Sequence, residues 1–268
     1  AFGKQINKDN IVKVDVESEL YQRARIELNK SLYQSYRIVE RISRANKLDE
    51  YSWRVYIPSG AKNDEINAYA TEGNLIVLFP VLVDIFSDDV SSLAFVIAHE
   101  MAHNYLKHGA KTEKYNEQMN KKAQECQIPV NIEGEEILKD KFLLSQAIGF
   151  WSAYFIYNLK MKDFQENVNS ESEEIQQDWL AFSRKLEYEA DRTAIIYMIK
   201  AGFNVNQASR FSTFSKRFHA EGLELTNHPS AENRVWQINS LLKTLDIQKL
   251  KKEGEINFKN SKPLTYER

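Results

Sequence analysis

Two histidines four residues apart enclose a glutamate in the run Ala98-His99-Glu100-Met101-Ala102-His103-Asn104. On a helix, that spacing stacks both imidazoles on one face, where neighbouring turns can offer them to a single metal ion. Glu100 points about 100° round the helix from His99, beside such an ion rather than at it. A carboxylate there can take a proton from a water that the metal activates, so the spacing suits metal-assisted hydrolysis. The plain alternative is an amphipathic helix whose histidines fall at i and i+4 by chance. A third ligand separates the two.

Its best candidate lies far downstream, in Glu187-Tyr188-Glu189-Ala190-Asp191-Arg192. Glu187 and Asp191 share a helix face, and Glu189 points elsewhere. Glu187 can complete a His₂Glu set with an open fourth position, the catalytic type of zinc site. Asp191, one turn on, can accept the spare N–H of a ligating histidine and fix its tautomer. A solvated acidic helix face explains the same residues without any metal.

Composition narrows the field. The chain has 268 residues, 43% of them apolar, with 14 Phe, 13 Tyr and 4 Trp, enough for a well-packed core. A net charge of −2 gives no nucleic-acid footprint. One cysteine, Cys126, excludes an internal disulfide and a cysteine-rich zinc knuckle, which leaves histidine and carboxylate ligands. The chain opens at Ala1 without a charged-then-apolar leader, as a mature or trimmed product would.

The elements that must position these residues follow from periodicity. Residues 1–16 read as a polar arm. Glu17 to about Asn46 reads as one long helix, with Leu20, Ala24, Leu28, Leu32, Tyr36, Val39 and Ile42 at three- and four-residue steps. Trp53–Ile57, Ile66–Ala70 and Leu75–Phe79 read as strands. The last two join through Thr71-Glu72-Gly73-Asn74 as an antiparallel hairpin, whose outer edge could accept an extended peptide. Ser87-Asp88-Asp89 supplies cap candidates for the motif helix, and Gly109 its stop. His108, near that end, reads as a surface residue suited to the helix dipole. Residues 110–140 read as a loop or short helix. A second long helix is expected from about Ile175 to Ala201, closed by Gly202. A last packed helix follows His228, with Pro229 in its first turn.

Residues 142–159 carry no charge and are about as long as a short membrane span. Their Ser, Gln, Asn and Gly content favours a buried or active-site-flanking helix. A peripheral membrane contact and a true span are the alternatives. Residues 248–268 are basic and patternless, and read as a tail.

Taken together, His99-Glu-Met-Ala-His103 and Glu187-Tyr-Glu-Ala-Asp191 resemble the HExxH and ExxxD pair of the gluzincin metalloproteases. They are most similar to peptidase family M48. Asn67-Ala68-Tyr69 resembles the edge strand on which gluzincins lay the substrate backbone. His228-Pro229-Ser230-Ala231-Glu232-Asn233-Arg234 resembles the family's late His-Pro…Arg element.

The resemblance covers about residues 50–243 and implies a single peptidase domain. The expected fold class is α+β and mainly helical, a zincin-like fold with a small sheet or hairpin beside the HExxH helix. It further implies one Zn²⁺ held by His99, His103 and Glu187, with Glu100 as general base. His228 would stabilise the oxyanion or gate the ion, with Arg234 steadying it, and Asn67, Ala68 and Tyr69 would bind substrate. The implied activity is zinc-dependent cleavage of extended or misfolded polypeptides, as in protein quality control. The clear pair of membrane spans found in part of the family is missing. That implies a soluble or peripheral member in a periplasmic, extracytoplasmic or membrane-associated setting. A latent zinc protein that binds peptides in a chaperone-like way is the rival reading.

Overall fold

A computed structural model describes residues 28–58, 67–71, 73–125, 170–208 and 229–264. The fold is α+β and mainly helical, with a three-stranded sheet. Its centre is the motif helix α3 (Val90–Tyr105), buried without a break from Val90 to Ala102. From Leu93 to Ala98 it is apolar on every side, which is the signature of a core helix rather than a surface one. Of the three cap candidates the structure uses Asp89. Its carboxylate accepts from the Ser92 N–H at 3.1 Å and the Ser92 hydroxyl at 2.7 Å.

Around α3 lie α1 (Lys30–Ala45), the sheet and the long helix α5 (Ser170–Ala201), its most extensive neighbour. Helix α1 starts at an Asn29 cap and buries Ile38, Val39 and Ile42 in the core. The single helix expected from Glu17 is not continuous, because Asn29 is extended and its side chain caps a helix that begins at Lys30; residues 17–27 lie outside the described residues. Helix α5 ends at Gly202, whose φ of 79° is the left-handed conformation that closes helices. The Phe203 N–H turns back to the Met198 carbonyl at 2.9 Å, completing the stop. Asn204 N–H donates to the Ser91 hydroxyl, so the end of α5 lies beside the start of α3 and the two helices run antiparallel.

The sheet has the order β1-β3-β2, with β1 (Arg54–Tyr56), β2 (Ala68–Ala70) and β3 (Leu75–Leu78). The expected hairpin is β2 and β3, antiparallel with Ala68 opposite Leu78 and Ala70 opposite Ile76. β1 lies parallel to β3, leaving β2 as one edge of the sheet among the described residues. β3 leads into α2 (Pro80–Ile85), where Pro80 occupies the first helical position and loses no hydrogen bond there.

The expected end of the motif helix does not hold. The stop is not Gly109 but Lys107, held at φ 55°. Helix α4 then runs from His108 to Glu125, the helical one of the two alternatives for the stretch after residue 110. Its Lys, Glu, Gln and Ala content has high helix propensity. Tyr115 stacks on Phe182 of α5 at 4.0 Å, and Asn116 accepts from the Trp179 indole at 2.9 Å.

The C-terminal part also departs from expectation. After α6 (Ala231–Leu242), capped by Ser230 with Pro229 outside the helix, residues Ile247–Asn260 form helix α7. The stretch is therefore no patternless tail. Ile247, Leu250, Gly254 and Phe258 make a narrow helical stripe, diluted in sequence by lysines. Phe258 is buried under the guanidinium groups of Arg41 and Arg44, at 4.9 and 3.9 Å from the ring centre. The Arg44 side chain also donates to the Phe258 carbonyl and the Ser261 hydroxyl.

At Gly254 a Cβ would lie 1.9 Å from the Lys200 carbonyl oxygen, a clash with backbone that no rotamer relieves. Gly254→Ala is therefore expected to destabilise by about 1–3 kcal/mol through overpacking. On a solvated helix the same change would stabilise by about 1 kcal/mol. Denaturant unfolding reads the sign directly.

Among the described residues no helix is long and apolar enough to cross a membrane. Residues 142–159 lie outside the described set.

Candidate active site

The antiparallel contact of α3 and α5 brings His99, His103 and Glu187 together, with one ligand atom of each within 4.8 Å of the other two. His99 Nε2 lies 3.5 Å from one Glu187 oxygen and His103 Nε2 lies 3.3 Å from the other. The two Nε2 atoms are 3.0 Å apart. His99 and Glu187 are buried, and His103 is half-buried.

Asp191 stands 2.9 Å from His99 Nδ1. A proton on that nitrogen leaves the Nε2 lone pair facing His103 and Glu187. Acceptors that converge in this way repel one another unless a cation lies among them, so the donor set fits a divalent metal of the zinc type. In the metal-free protein a proton answers the same demand. Burial opposes charge on His99, but its hydrogen bonds to the Asp191 and Glu187 carboxylates outweigh it and push its pKa up to about 10. Burial moves His103 the other way, below the usual imidazole range.

Behind Asp191 lies Arg234 of α6. Its Nε and Nη2 donate to the two carboxylate oxygens at 2.7 and 2.6 Å, a bidentate pair that is buried on both sides. Burial alone would raise the Asp191 pKa, but Arg234 and His99 hold it below the usual carboxylate range. Arg234 in turn is held in its charged form. Its guanidinium is thus engaged by Asp191, whereas the sequence had suggested His228 as what it steadies. His228 lies outside the described residues.

Glu100 is buried in α3 next to His99, and its charge reaches Arg234. The edge strand packs on α3. Tyr69 pairs with Val77 of β3, so the backbone groups of Ala68 and Ala70 point to the outer edge. The Ala68 N–H is taken by the Asn67 side-chain oxygen at 2.8 Å, and the Tyr69 ring is buried edge-on to Phe79. These two side chains therefore brace the strand, and what its outer edge offers is the Ala68 carbonyl and the backbone groups of Ala70.

Two contacts escaped the sequence. Asn104, the residue after His103, donates to the Thr71 carbonyl at 2.6 Å and ties the end of β2 to the motif helix. His108 is not a surface residue. Only 2% exposed, it sits with Nδ1 3.0 Å from His103 Nδ1, and burial pushes its pKa down to about 3. At five residues' separation on one helix it would point away from His103. The turn at Lys107 brings it back, and no periodicity predicts that turn.

A mainly helical domain with an HExxH helix at its core, a glutamate from a second helix and an edge strand alongside defines a metallopeptidase class of fold and site. Residues 33–242 match the profile of peptidase family M48, and the chain belongs to that family of metalloproteases. No curated protein and no solved structure matches the chain significantly.

Proposed function

We propose that this protein is a zinc-dependent endopeptidase acting on extended or misfolded polypeptides. The observation that carries the reading is the convergence of His99, His103 and Glu187 within 4.8 Å, with Asp191 on the far nitrogen of His99. Those three residues would hold one zinc ion, which supplies Lewis acidity to a water and to the scissile carbonyl.

The remaining work falls to the chain itself. Glu100 takes the proton released as water attacks the carbonyl carbon and delivers it to the amide nitrogen, which leaves as an amine. Asp191 keeps the His99 proton on Nδ1 and so holds Nε2 toward the ligand position. Arg234 keeps Asp191 ionised. The outward Ala68 carbonyl and the outward backbone groups of Ala70 take the substrate main chain as an added strand, which favours unfolded segments over folded ones. His228, on the strength of its sequence motif, donates to the developing oxyanion.

The test is metal content measured beside cleavage of unfolded casein. The expected result is one zinc per chain, cleavage lost on chelation and regained with one equivalent of zinc. Glu187→Gln should lose both zinc and cleavage. Full cleavage by metal-free protein would overturn the reading.

A further inference from the structure

The two histidines of the site are supported in different ways. His99 has a carboxylate directly on its far nitrogen, the 2.9 Å contact with Asp191. His103 has a third histidine there instead. His108 opens α4 with its ring edge-on to His103, ring centres 4.8 Å apart and planes at 84°. The two Nδ1 atoms stand 3.0 Å apart. The other nitrogen of His108 is buried and faces a Glu189 oxygen at 3.4 Å, long for a hydrogen bond but near enough for the charge to act. Lys111 Nζ meets the same oxygen at 3.2 Å and pins that carboxylate.

Proton placement follows from these positions. His103 directs Nε2 at Glu187 and His99, so as a ligand it needs its lone pair on Nε2 and its proton on Nδ1. At 3.0 Å that proton needs an acceptor, and the acceptor present is His108 Nδ1 with its own lone pair. His108 must then carry its proton on Nε2, the nitrogen that the Glu189 charge favours. Each ring fixes the tautomer of the next.

We infer that His108 is the positioning residue of His103, accepting its Nδ1–H and handing the support of the Glu189 carboxylate through a second imidazole. The turn at Lys107 builds this relay by starting a new helix with its first side chain against the old one. The inference rests on the zinc reading of the site and deepens it. It also assigns Glu189, which points away from the ligand face of α5, a role on the outer side of the same site.

The test compares zinc affinity, by competition with a chromogenic chelator, across variants of the full chain. His108→Asn places an acceptor oxygen where Nδ1 stood and should stay within a few-fold of wild type. His108→Leu fills the space without an acceptor and should lose about 10–100-fold, the usual cost of a lost outer partner. A merely structural role predicts the opposite ranking, with leucine better tolerated than asparagine in a buried site. Thermal unfolding of the metal-free proteins reports that role separately. If His108→Leu does not fold, His108→Gln replaces it. Its carbonyl reaches toward the Nε2 position, so it should fold and still lose zinc affinity. Leucine or glutamine at wild-type affinity, or asparagine as poor as leucine, overturns the inference. Wild type that takes up no zinc overturns the zinc reading itself.

Discussion

Glu100→Gln is expected to keep one zinc per chain and to lose peptide cleavage by at least about 10²–10⁴-fold, the usual contribution of a positioned general base. The amide has the shape of the carboxylate and none of its basicity, so it cannot take the proton from the attacking water. Glu100 is buried in the core helix, which makes the isosteric change the right one, since Glu100→Ala would also open a cavity. Zinc should be retained because His99, His103 and Glu187 converge without Glu100. The same variant separates a hydrolase from a peptide binder of chaperone type. Turnover of a fluorogenic unfolded peptide and anisotropy of a labelled one read the two functions on one sample. Lost turnover with retained binding supports the hydrolase. Unchanged turnover would remove Glu100 from the mechanism.

What was legible in the sequence was what local periodicity dictates. The i,i+4 spacing of His99 with His103, and of Glu187 with Asp191, puts each pair on one face of its helix, and the structure sets those faces together. Gly202 closes α5 because glycine takes the left-handed conformation of a helix stop without strain. The hairpin follows from two short apolar runs and the Gly-Asn turn between them. What stayed hidden depends on partners remote in the chain. Alternation marks Arg54–Tyr56 as a strand, but its parallel pairing with Leu75–Val77 is set by how the sheet packs. The stripe of α7 is too narrow to stand out among lysines until Phe258 meets Arg41 and Arg44 of α1. His108 returns to His103 only because the backbone reverses at Lys107, where the sequence offers a lysine rather than the glycine a reader looks for. Arg234 belongs to a recognisable motif, yet its bidentate pair with Asp191 joins α6 to α5 and shows only in three dimensions.

That pair yields the second large effect, because Asp191 serves two neighbours at once. Asp191→Leu should destabilise the metal-free protein by about 3–5 kcal/mol, the cost of leaving the buried Arg234 charge without its partner. It should also weaken zinc binding by about 10–100-fold, since His99 loses the acceptor that fixes its tautomer. The two losses have different causes, and a second substitution separates them. Asp191→Leu/Arg234→Leu removes the stranded charge, and replacing both members of a buried ion pair by apolar groups is often neutral or better. The double variant should therefore recover most of the stability. It should recover none of the zinc affinity, because His99 Nδ1 still faces a hydrocarbon. Denaturant unfolding without metal gives the first quantity free of any stabilisation by bound zinc, and chelator competition gives the second. Zinc affinity that returned with stability would mean that Asp191 acts only as the anchor for α6. Stability recovered without affinity assigns it both tasks, holding the helix through Arg234 and the ligand through His99.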